Sequence, residues 1–67
     1  MKEYTYRVII DGKEMYSGNH IKYLKEKAQF DFDYLNAYSA VIVRGNQYYA
    51  HKTYDGDWMR MTGPYRP

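Results

Sequence analysis

The chain has 67 residues, a formal charge of +2 and no cysteine. That length accommodates one domain and one core but not two, and the missing thiols exclude a disulfide or a thiolate metal site. The mild charge falls short of the concentrated basic excess of a dedicated nucleic-acid module. Ten tyrosines, two phenylalanines and Trp58 must supply much of the apolar area, each large ring burying roughly 150–250 Å² when enclosed.

Met1-Lys2-Glu3-Tyr4 leads straight into a strand-like run, with no apolar signal segment behind a basic start. No stretch reaches the roughly 20 apolar residues that span a bilayer, so no membrane contact is expected and the cytoplasm is the expected location. Glu3 to Ile10 (EYTYRVII) is rich in β-branched and aromatic residues. Asp11-Gly12 follows, the dipeptide favoured in a two-residue type I′ hairpin turn. That turn sets Ile10 opposite Lys13, Val8 opposite Met15 and Tyr6 opposite Ser17. The expected core face is then Tyr4, Tyr6, Val8, Ile10 and Met15.

Gly18-Asn19 breaks the second strand, and Asn19 is the expected helix N-cap, its side chain accepting a first-turn amide. One helix is predicted from His20 to about Leu35, with an alternative stop near Gln29 because Phe30 to Tyr34 also alternates with period two. At 100° per residue, Ile21, Leu24, Ala28, Phe32 and Leu35 share one stripe. Tyr23, Phe30 and Tyr34, with Lys27 beside them, form a second stripe nearly opposite. Asn36 is a helix stop that tolerates the left-handed conformation. Tyr38 to Arg44 (YSAVIVR) is a strand, Gly45-Asn46 suits a type II′ turn, and Gln47 to Tyr54 returns. Asp55-Gly56 repeats the hairpin signal before a last strand within 57–62. Residues 63–67 are read as a tail whose prolines cannot donate to a ladder.

The fold class read from this order is α+β: a single domain, 1–67, running β-β-α-β-β-β, an antiparallel sheet with one helix on one face. Extending the turn registers places Val41, Val43, Tyr48, Ala50, Met59 and Met61 on one face of the meander. Tyr38, Ile42, Tyr49, His51, Trp58 and Arg60 fall on the other. The more uniformly apolar valine–methionine face is expected beneath the helix, leaving the aromatic face open. Tyrosine, tryptophan and arginine are enriched at binding hot spots, so Tyr38, Tyr49, His51, Trp58 and Arg60 are the candidate partner-binding residues. Tyr23, Lys27, Phe30 and Tyr34 are a second surface, suited to a partner or to a self-complementary dimer contact, unless they pack against the first hairpin.

Catalytic chemistry is not expected. Ser17 and Ser39 lack a nucleophile elbow, His20 is read as a solvated first-turn residue rather than a base, and His51 as a structural mid-strand residue beside Arg60. Asp31 and Asp33 diverge on a helix, while Asp55 and Asp57 flank a turn glycine. No calcium-loop spacing, zinc ligand set or phosphate-binding glycine pattern is present, so neither metal nor cofactor is expected. The reading is a small non-enzymatic module that binds a larger protein. Its size and Lys/Tyr/Asn/Asp-heavy composition are in the style of accessory or inhibitor proteins of phages and other mobile elements, an impression that rests on no motif. Two alternatives remain: single-stranded nucleic-acid binding, with bases stacking on the sheet aromatics beside Arg60, Arg44 and Lys52, and a structural homo-oligomeric subunit.

Overall fold

The first two tight turns and the helix stop set the architecture. In the computed structural model, which describes residues 4–66, Asp11 and Gly12 both have positive φ, 50° and 82°, as a type I′ turn requires. Gly45 alone is positive in the second turn, at 63°, as in type II′. The elements are β1 (Tyr6–Ile10), β2 (Lys13–Gly18), α1 (Ile21–Tyr34), β3 (Ser39–Arg44), β4 (Gln47–Thr53) and β5 (Met59–Arg60). They form one antiparallel five-stranded sheet in the order β2-β1-β3-β4-β5, with the helix on one face. This is the small α+β fold read from the sequence. The expected strand start at Glu3, and Pro67 at the end of the tail, lie outside the described residues.

The helix runs through to Tyr34 rather than stopping near Gln29. It ends in a double hydrogen-bonded cap: Ala37 N donates to Phe32 O at 3.1 Å and Asn36 N to Asp33 O at 3.3 Å. Asn36 carries the left-handed φ of 53°, and Ala37 and Phe32 are both buried, the apolar contact that accompanies this cap. Leu35, expected in the core stripe, falls at the cap and is exposed. At the other end His20, not Asn19, is the N-cap residue, and its side chain makes no capping hydrogen bond. Asp11 ties the first turn to this cap: its Oδ1 accepts from Tyr38 N and Ser39 N, each at 3.0 Å.

Two β-bulges redirect the sides of the sheet. Ile9 pairs with Glu14 but Val8 with Tyr16, so Met15 is the extra residue. Val43 pairs with Tyr48 but Ile42 with Ala50, so Tyr49 is the extra residue. Each insertion shifts the strict alternation by one position. Consequently Tyr16, not Met15, packs against the core beside Tyr6, Val8 and Ile10. The core under the helix joins these to Leu24, Ala28, Phe32, Ala40 and Ile42, each fully buried aliphatic contributing roughly 1.5–3 kcal/mol.

The expected side assignment of the meander is reversed. Ile42, Tyr49 and Trp58 pack on the helix-side core, while Val41, Val43 and Tyr48 lie opposite with His51 and Met59. The bulge in β4 leaves Tyr49 on the side of Ile42, adds Ala50 to that side and sends His51 to the other with Val41, and the aromatic face supplies the bulk that the small residues Ala28 and Ala40 leave unfilled. The last hairpin also departs from expectation. Gly56 N donates to Thr53 O at 3.2 Å, and β5 begins only at Met59, pairing with His51 rather than Lys52.

The far face has its own cover. The Tyr65 ring stands 5.4 Å from the Tyr48 ring and 5.4 Å from the Arg7 guanidinium, the two residues that flank Val43 in the sheet. Val43 is fully buried as a result. The tail therefore does join the sheet edge: Tyr48 N donates to Gly63 O and Tyr65 N to Asn46 O. Pro64 lacks a donor, and its neighbours make the bonds on either side of it.

Candidate functional site

The outer face of α1 is the most exposed aromatic surface of the molecule. Residues 23, 27, 30 and 34 follow one another at three- and four-residue steps, so they share a stripe away from Leu24, Ala28 and Phe32. Tyr23, Phe30 and Tyr34 are 67%, 69% and 80% exposed. Phe30 and Tyr34 stack nearly parallel, with centroids 6.4 Å apart and planes at 6°, so the pair presents one continuous ring surface. Lys27 turns aside: its Nζ lies 5.0 Å from the centroid of Tyr16 on β2. Of the stripe, Lys27 meets the first hairpin, while the three rings stay largely exposed.

Tyr16 is the polar singularity beneath that flank. Its hydroxyl is buried and makes no hydrogen bond of standard geometry. Burial first, and then the nearby Asp31 carboxylate, hold its pKa well above the ordinary tyrosine value, because both disfavour the phenolate.

The five residues expected on an open sheet face do not form one surface. Tyr49 and Arg60 meet, with the Arg60 guanidinium 4.5 Å from the Tyr49 centroid. Trp58 leans on the flank of the helix, donating from Nε1 to Gln29 Oε1 at 3.1 Å, with Lys25 Nζ 5.9 Å from its ring. Tyr38 lies at the opposite end of the helix, edge-on to Tyr54 at 5.3 Å, beside a shallow cleft lined by Phe32, Asn36 and Ala37. His51 lies on the far face with Val41. The other four share the side of Ile42, and the bulge at Tyr49 is what parts His51 from them by pairing it with Val41.

The residues that complete the Tyr49 cluster are read separately in the sequence, Arg44 beside the sheet aromatics in the nucleic-acid alternative and Tyr4 and Tyr6 on the core face of the first hairpin. Arg44 reaches over Tyr49 at 5.5 Å and over Tyr4 at 4.6 Å, and Tyr6 meets Tyr49 edge-on at 5.4 Å. The signal was present as a basic residue ending β3, but its convergence with Arg60 needs the strand order to be seen. Among the described residues, no three of the types His, Cys, Asp and Glu come together in a way that could hold a metal ion. No described helix is long and apolar enough to cross a membrane. No protein-family model, curated protein or solved structure matches the chain.

Proposed function

We propose that this protein is a small non-catalytic protein-binding module that docks a larger partner against the outer face of α1. The observation that carries the reading is the stripe of Tyr23, Phe30 and Tyr34, rings exposed on one rigid element with two of them already stacked. Tyrosine and phenylalanine offer large contact area with only two torsions to freeze on binding. A helix face laid into a partner's groove is read through anchors at this spacing. The reading takes the cytoplasm as its setting, where a cysteine-free sequence gives up no disulfide. An accessory or inhibitory action on a host protein would use the same face.

Site-specific cross-linking tests it. A photoreactive benzoylphenylalanine placed at Phe30 and irradiated in the producing cell should yield a discrete adduct heavier than a dimer of the 8.1 kDa chain. The same group at exposed Tyr54 should not yield that adduct. An adduct at the dimer mass alone would replace this reading with homo-oligomerisation, and no adduct at Phe30 would remove the helix face as a docking surface.

A further inference from the structure

Arg44 on β3 and Arg60 on β5 flank the same ring, Tyr49 on the intervening strand, on the helix side of the sheet. Two like charges brought to one ring repel, and the attraction holding them there is electrostatic: ring faces are negative, and Tyr4 supplies a second face to Arg44. Among the described residues neither guanidinium faces a carboxylate within ion-pair distance, whereas Arg7 on the opposite face has Glu14 at 3.4 Å. Each guanidinium carries N–H donors in a planar fork that matches a carboxylate. The cluster is thus a pair of guanidinium forks held beside one ring.

We infer that this cluster is an anchor for an acidic segment of the protein partner, with carboxylates seated bidentately on Arg44 and Arg60. The inference rests on the protein-binding reading above but uses a different surface, so its test can fail alone. Two strand spacings, roughly 10 Å, separate the backbones of β3 and β5. That distance matches carboxylate residues three positions apart on an extended chain, at about 3.3 Å per residue. The geometry favours carboxylates over single-stranded nucleic acid because base stacking needs free ring faces. Here a cation already occupies a face of Tyr4, of Tyr49 and of Trp58. The small overall charge of +2 points the same way, since phosphate-backbone binding draws on many cations at once.

The test is a titration of the full chain with fluorescein-labelled decaglutamate, and separately with labelled decathymidylate, by fluorescence anisotropy. Decaglutamate should bind saturably and more tightly than decathymidylate. R44Q/R60Q should weaken its binding at least fivefold, while K13Q/K22Q, which removes the same charge elsewhere, should change it less than twofold. R44K/R60K, which keeps the charge but loses the fork, should fall between R44Q/R60Q and the parent protein; it also serves if the glutamine variant does not show a cooperative melt by circular dichroism. Tighter binding of decathymidylate would overturn the inference in favour of nucleic acid. Absence of saturable decaglutamate binding, or equal losses in the two glutamine variants, would overturn it outright. None of these outcomes involves the helix stripe, whose cross-link at Phe30 stands or falls separately.

Discussion

Phe30 and Phe32 are the same residue two positions apart on one helix, and their surroundings are opposite. Phe32 is 4% exposed, closed in by the strand residues of the core, with the Lys52 ammonium 4.9 Å from its ring. Phe30 is 69% exposed and touches its own helical neighbour Tyr34. The inner face of α1 uses small and branched residues, Leu24 and Ala28, to bring the helix close to β1 and β3. The outer face carries its bulk where no strand can reach it. Apolar area on the inner side serves stability, whereas on the outer side it has no folding role to fill.

The contrast is open to test at each residue. Phe32→Ala should have the largest effect, a loss of about 3–5 kcal/mol by denaturant unfolding, because a buried ring is removed and the surrounding structure closes the gap only in part. A loss below about 1 kcal/mol would mean that the inner face is not the core.

Tyr16→Phe should have a smaller effect, with its sign reversed. Deleting a buried hydroxyl that lacks a standard hydrogen bond should leave stability unchanged or raise it by up to about 1 kcal/mol at neutral pH. The pH dependence follows from the raised pKa of Tyr16. In the unfolded chain an ordinary tyrosine ionises near pH 10, while in the folded protein Tyr16 stays neutral. Its contribution is therefore complete below that pH and is lost as pH rises from about 10 toward the higher folded value. The unfolding midpoint of the parent protein should fall more steeply between pH 9 and 11 than that of Tyr16→Phe. Parallel curves would show that Tyr16 titrates alike in both states.

The same contrast marks what the sequence could reveal. Asp11-Gly12, Gly45-Asn46 and Asn36 are legible because positive φ demands particular residue types, and each occurs where expected. The two stripes of α1 are legible because a helix repeats at a fixed angle. The sides of the meander were not, since a bulge adds a residue without any compositional mark, and both faces offer apolar choices. Register is strongly specified only where one face is distinctly apolar; here Val41 and Val43 compete with Ile42 and Tyr49. Met15 and Tyr16 posed the same ambiguity in β2. The loop after Thr53 was misread because Asp55-Gly56 serves a turn that begins at Thr53, with Lys52 Nζ donating to Gly56 O. The helix stripe was visible in the sequence as a surface. Tyr49, Arg60 and Arg44 were legible as neighbours on one sheet, but the meeting of both guanidiniums at a single ring was not, because it depends on three strands lying side by side.

The separation of a stabilising inner face from a surplus outer one is tested most directly by unfolding the triple variant Y23A/F30A/Y34A. Exposed substitutions away from special features usually change stability by no more than about 0.5 kcal/mol each, and alanine's favourable helix propensity offsets the lost ring stacking. The triple variant should keep its cooperative transition, with stability within about 1 kcal/mol of the parent. A loss approaching that of Phe32→Ala, or the disappearance of a cooperative transition, would show that the outer rings belong to the fold and would remove the docking surface.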